Sequence, residues 1–202
     1  MMEQFDRNEY LKEKFNNYWS SILKENKDYY SIMTDESLDL LKLTLSNINN
    51  IITFKTTLKF IDKMSKILKL NDDERKIIVE KVKHTKPNDN GFDIEYSGSE
   101  NIVCEVKCNI PVNGGNRFGA AQKNSIKKDI YGLMNSKNKS AITSKEIKNY
   151  YKFMVIYNFN QNTVEATINL VSNIAKEFNN KVKIYEEDKS INKENVYIVL
   201  IK

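Results

Sequence analysis

Apolar residues recur at helical spacing through the first seventy positions. Leu11, Phe15, Tyr18, Trp19, Ile22 and Leu23 form one stripe. Leu38, Leu41, Leu45 and Ile48 form a second, and Leu58, Ile61, Met64 and Leu68 a third. Asn71 followed by Asp72, Asp73 and Glu74 reads as an N-cap with an acidic first turn, opening a helix to about Val82. The period then changes. Lys86-Pro87-Asn88-Asp89-Asn90-Gly91 is a dense run of turn formers. The alternation that follows predicts two strands, Phe92 to Tyr96 and Ile102 to Cys108, joined through Ser97-Gly98-Ser99.

Pro111 to Gly119 is a Gly- and Asn-rich loop leading into a helix from about Phe118 to Leu133, with Ile126, Ile130 and Leu133 facing inward. Asn135 to Ser144 is polar, lysine-rich and expected to be an exposed connection. Tyr151 to Phe159 reads as an apolar strand. Val164, Ile168, Val171, Ala175 and Phe178 then mark an amphipathic helix capped by Thr163, and Val182–Tyr185 and Val196–Ile201 close the chain as strands. This order predicts an α/β (mixed α+β) fold: a mixed sheet flanked by helices, carrying an all-helical N-terminal extension. Residues 1–70 are expected to serve dimerisation, recognition or regulation, and residues 71–202 to form the core.

Composition adds bounds. Forty per cent of the 202 residues are apolar, with eleven Tyr and nine Phe, which suffices for a buried core. No apolar run approaches the ~20 residues of a membrane span, and the N-terminus shows no apolar signal-peptide region. Cys104 and Cys108 fall about 13 Å apart along one strand, too far to bridge, and unpaired thiols suit a reducing cytoplasm. With His84 the lone histidine, a zinc site is not expected. The net charge of +5 is unevenly spread: residues 1–80 hold 13 basic and 14 acidic side chains, residues 101–155 hold 10 basic and 3 acidic. Such a local excess suits either a solvated lysine face or a polyanion.

The candidate chemistry lies in the two predicted strands. Alternation puts Glu105 and Lys107 on one face of the second strand and Cys104, Val106 and Cys108 on the other. If the strands pair as a hairpin, Asp93 approaches Glu105 from the neighbouring strand. Two carboxylates beside an ammonium suit phosphodiester hydrolysis, which needs a hard cation near the phosphate. Magnesium takes one or two carboxylates with phosphate and water completing its shell. The plain alternative is an exposed hairpin with a surface Glu–Lys pair worth ~0.2–1 kcal/mol.

The pattern of Asp93 followed, at a spacing of twelve positions, by Glu105-Val106-Lys107 in an apolar strand resembles the PD-(D/E)xK nuclease superfamily, which includes many restriction endonucleases, repair nucleases and resolvases. The similarity covers roughly residues 72–160, with Phe92 standing where the motif name has Pro. It implies a restriction-endonuclease-like core, Asp93 and Glu105 as metal ligands, the Val106 carbonyl as a third, and Lys107 as the catalytic lysine. It implies Mg2+, with Mn2+ able to substitute, and DNA as substrate, RNA remaining open. The activity implied is a bacterial restriction or antiphage-type endonuclease, and cutting both strands of a duplex implies a homodimer.

The resemblance also singles out Glu80 as an additional metal ligand, against a solvated helix position, and Gln122 as a residue facing the metal site. Asn116 and Arg117, in the glycine-rich loop, are candidates for phosphate contact, against a plain turn. Lys123, Lys127 and Lys128 extend the positive surface along the next helix. Two other classes remain: a nucleic-acid-binding or regulatory module that does not cut, and a structural or toxin-like protein whose helical half binds a protein partner.

Overall fold

A computed structural model describes residues 5–86 and 91–202. The turn run expected at residues 86–91 therefore lies mostly outside the described residues. The helices are α1 (Arg7–Leu23), α2 (Tyr29–Ile32), α3 (Asp35–Ile67), α4 (Asp72–His84), α5 (Ala120–Asn135) and α6 (Gln161–Ile174). The strands are β1 (Ile94–Tyr96), β2 (Ile102–Lys107), β3 (Tyr151–Tyr157), β4 (Val182–Ile184) and β5 (Val196–Ile201).

The five strands form one mixed sheet in the order β1-β2-β3-β5-β4, with β1 antiparallel to β2 and the other pairings parallel. Both faces are covered, as a largely parallel sheet requires. On one face Ile102, Cys104, Val106, Phe153, Val155 and Val199 pack against Phe60, Ile61 and Met64 of α3 and Ile78 of α4. On the other, Val103, Met154, Ile156 and Ile198 pack against α5 and α6. The fold is thus mixed α/β, with every predicted strand present and the strand expected at Tyr151 to Phe159 ending at Tyr157.

The second and third apolar stripes belong to one 33-residue helix, α3, except Leu68, which follows its last residue. The chain divides into two compact units, Met1–Ile48 and Asn49–Lys202. The division falls inside α3, upstream of residue 70, because Phe60, Ile61 and Met64 supply core to the sheet. In the first unit α1 is capped by Asp6, whose Oδ1 accepts from the N–H of Asn8 at 2.8 Å and of Glu9 at 3.1 Å. Its apolar stripe is not buried as the spacing predicts: Leu11, Tyr18, Ile22 and Leu23 are exposed, as are Leu38, Leu45 and Ile48 of α3. Only Tyr29 is buried in α1 and α2.

Two local predictions resolve clearly. Asn71 and Glu74 form a reciprocal capping box at the start of α4, and Glu74 also accepts from the Tyr96 hydroxyl at 3.2 Å, tying α4 to the β1–β2 hairpin. In α6 the cap is Asn160 rather than Thr163, and the buried stripe is Thr163, Ala166, Thr167, Leu170 and Ile174 rather than the predicted one. The Thr167 hydroxyl donates to the Thr163 carbonyl at 2.8 Å, so a polar residue is satisfied inside the helix and joins the core face. No helix among the described residues is long and apolar enough to cross a membrane.

Candidate active site

The hairpin determines the site. Ile94 pairs with Cys104, and continuing the antiparallel register by one residue sets Asp93 opposite Glu105 on the α5 face. Strand β1 begins only at Ile94, leaving the edge of β2 open beyond Cys104. Asp93 fills the gap: its Oδ2 accepts the main-chain N–H of Val106 at 2.7 Å. A strand residue points its N–H and C=O to the same side, so the Val106 carbonyl faces this same open edge.

Glu105 and Lys107 each meet a partner that the sequence reading did not identify. Lys137, just beyond α5, places its ammonium on Glu105 Oε1 and donates to the Gly91 carbonyl at 3.1 Å. The same ammonium lies 5.2 Å above the Phe92 ring. Asp129 of α5 forms an ion pair with Lys107 and lies 3.9 Å from Lys137. The buried Asp129 Oδ2 contacts the Lys107 ammonium without a properly directed hydrogen bond. The result is a chain of alternating charge, Glu105–Lys137–Asp129–Lys107, with Asp93 beside it.

Burial dominates the electrostatics. Glu105 is 5% exposed, and its carboxyl pKa is pushed up to about 8, first by burial and then by the charge of Asp93, against the lowering effect of Lys137. Burial also raises the Asp93 carboxyl, although the Val106 N–H and the charges of Lys137 and Lys107 oppose it. These residues line a cleft of about 810 Å³ walled by α5, the segment after it, α4 and residues Asn50 to Thr57 of α3. Among the described residues no group of three or more His, Cys, Asp or Glu side chains is arranged to hold a metal ion. The donor set here is two carboxylates and a main-chain carbonyl, which suits a hard divalent cation. Two crowded, desolvated carboxylates held above their ordinary pKa are stabilised by such a charge, so the residues present fit the group.

The other predicted residues lie elsewhere. Glu80 is exposed and pairs with Lys83 at 2.6 Å, which lowers its pKa; it does not line the cleft. Gln122 accepts from the Gly119 N–H at 2.9 Å and donates to the Ile110 carbonyl at 2.7 Å, so it braces the start of α5 rather than facing the carboxylates. In the glycine-rich loop the amides of Val112, Gly114 and Gly115 are bonded within the loop and are not offered to a ligand. Asn116 donates to Glu165 at 3.3 Å, and its carbonyl accepts from Asn169 at 3.1 Å. Arg117 and Lys123 line a separate cavity of about 280 Å³ against α6. Lys127 pairs with Glu177 at 2.7 Å, whereas Lys128 lines the cleft.

Asp129 carried a readable signal. It lies at the spacing of the inward stripe Ile126, Ile130 and Leu133, and it is one of only three acidic residues in the basic stretch 101–155. Lys137 carried none, because it sits in an irregular segment with no period to set its direction. No protein-family model matches the chain, and neither the curated proteins nor the solved structures contain a match to it.

Proposed function

We propose that the cleft hydrolyses phosphodiester bonds in DNA, as a magnesium-dependent endonuclease of the PD-(D/E)xK kind. The carrying observation is that Asp93 and Glu105 face one another across the hairpin while Lys107, two residues on, lines the same cleft. The run of α4, hairpin, α5 and parallel β3 supports a restriction-endonuclease-like core for the reading. Asp93, Glu105 and the Val106 carbonyl would hold the cation, which when bound supplies Lewis acidity beside the scissile phosphate. In the hydrolysis water adds to phosphorus, one ester P–O bond breaks, and the leaving oxygen takes a proton. Lys107 would donate to the charge that builds on the phosphate oxygens, oriented by Asp129. Lys137 balances the acidic pair and lessens its repulsion of a phosphate.

A restriction or antiphage role in a bacterial cytoplasm is the biological setting this reading favours. The apolar residues exposed on α1 and α3 support a homodimer, and a monomeric mass by light scattering would remove that element. The test of the activity is incubation of plasmid DNA and of RNA with and without magnesium, for wild type, Asp93→Ala and Lys107→Ala. Cutting that requires the metal and is lost in both variants supports the assignment; unchanged cutting by both removes it.

One observation favours a second reading, a nucleic-acid-binding module that does not cut. Glu105 and Lys107 are both engaged in ion pairs, with Lys137 and Asp129. That reading predicts salt-sensitive binding indifferent to EDTA and to Lys107→Ala, with no cleavage by wild type.

A further inference from the structure

Across α5 from the cleft, the sheet carries a lysine where its neighbours are apolar. Lys152 lies in β3 on the face of Met154 and Ile156 and is 3% exposed. A buried ammonium is costly unless an anion compensates it. Among the described residues Lys152 donates only to main-chain carbonyls, of Tyr150 at 2.8 Å and of Lys193. Burial, helped by the charges of Lys181 and Lys193, pushes its pKa down to about 8.

This lysine lines a groove of about 1140 Å³ between α5, the segment after α6 and the turn before β5. Six lysines and two glutamates line it. Lys127 is paired with Glu177 at 2.7 Å and Lys193 with Glu100 at 3.0 Å. Among the described residues Lys128, Lys148, Lys152 and Lys181 have no carboxylate partner. Uncompensated ammonium groups gathered in one groove repel each other, and an anion relieves them. The groove exceeds the ordinary small-molecule pocket of roughly 300–1,000 Å³, which favours a polymer over a single small anion.

The groove and the cleft share a wall. Asn124, Lys127, Tyr131 and Asn135 face the groove at helical spacing, and Asp129 and Gly132 face the cleft. Lys128 and Tyr131, on the crest between them, line both. Tyr131 is 64% exposed, an aromatic ring presented to solvent where the two openings meet.

We propose that this groove binds the sugar–phosphate backbone of a single-stranded polynucleotide, with phosphates on Lys128, Lys148 and Lys181 and a base stacked on Tyr131 where the strand crosses into the cleft. A single strand is favoured over a duplex because an exposed ring is useful only to an unstacked base. The proposal rests on the nuclease reading for the strand's destination alone, since binding in the groove needs no cleavage.

The test uses the full chain in EDTA with a fluorescent oligodeoxythymidine and a labelled duplex of equal length, titrated by anisotropy at several salt concentrations. Lys148 and Lys181 are exposed, so their reversal spares the core. Lys148→Glu with Lys181→Glu is expected to weaken single-strand binding by about tenfold or more and to flatten the log–log salt slope by about 1.4, two contacts at about 0.7 each. Tyr131→Ala is expected to weaken single-strand binding about 5- to 100-fold and to leave duplex binding unchanged. Lys148→Gln with Lys181→Gln should fall between wild type and the reversed pair, which separates a charge effect from misfolding. Unchanged affinity and slope in the reversed variant overturn the proposal, as does an equal loss of duplex and single-strand binding in Tyr131→Ala. If wild type cuts nothing with magnesium yet the reversed variant loses binding, the nuclease reading falls and the groove stands.

Discussion

The Asp93 carboxylate accepts the Val106 N–H at 2.7 Å, so a side chain completes a rung that the short strand β1 leaves unmade. One residue thereby has two duties, closing the sheet edge and holding a negative charge beside Glu105. The two duties are separable by substitution. Asp93→Asn keeps an acceptor for Val106 and is expected to melt near wild type while losing cleavage by at least about 100-fold. Asp93→Ala leaves the amide unsatisfied and is expected to cost a further ~1–3 kcal/mol of stability. Thermal melts paired with plasmid nicking check this, and equal stability of the two variants would show that the rung is unimportant.

Lys107 and Asp129 should depend on one another for stability. Removing either leaves the other charge in a poorly solvated place, since their side chains are 22% and 13% exposed. Each single alanine variant is expected to lose ~1–3 kcal/mol, discounted for partial solvation from the fully buried case, and the double variant less than the sum. Urea denaturation of the four proteins measures the coupling. Strict additivity would mean that the pair is not formed in solution.

The raised Glu105 carboxyl sets a pH dependence with a definite sign. Its folded-state pKa, about 8, lies above the ordinary carboxyl value of 4.5, so the folded state holds the extra proton between these limits. The metal-free protein should therefore lose stability as pH rises from about 5 to 8. Glu105→Gln, which cannot titrate, should remove that slope. Divalent-metal binding needs the carboxylate and should strengthen over the same interval, as calorimetric titration with manganese would read. Lys137→Met, by removing a charge that lowers the pKa, should move the onset of metal binding to higher pH.

Gln122 offers the opposite expectation to that of the catalytic residues. Its amide bridges Gly119 and Ile110, so Gln122→Ala should cost ~1 kcal/mol of stability. Cleavage per folded molecule should be unchanged. A selective loss of turnover with a normal melting curve would return Gln122 to the site.

The hairpin was legible because strand alternation has a period of two: once Cys104 and Val106 are taken as inward on one face, Glu105 and Lys107 must share the other. Alternation left the pairing itself conditional, and the register that sets Asp93 opposite Glu105 comes from the structure, where Ile94 pairs with Cys104. Asp129 was obscured because its helix was read for apolar positions, so an acid at inward spacing looked like a break in the stripe. Thr163 and Thr167 misled the phase of α6 in the same way. Lys137 follows Ser136, whose φ of 74° turns the chain out of α5, and no local pattern announces where the next side chain points. Glu80 and Gln122 illustrate the converse: residues of the right chemistry, near the site in sequence, are held by Lys83 and by the loop before α5.

Directly behind the acidic pair, on the α3–α4 side of β2, the Cys104 thiol is fully enclosed, and burial drives its pKa well upward. A protonated, sealed sulfur is inert to alkylating reagents. It becomes reactive only when β2 parts from the helices beneath it. The rate of its modification therefore clocks the opening of the segment bearing Glu105 and Lys107, giving a native probe for how firmly any bound ion or strand clamps that segment shut.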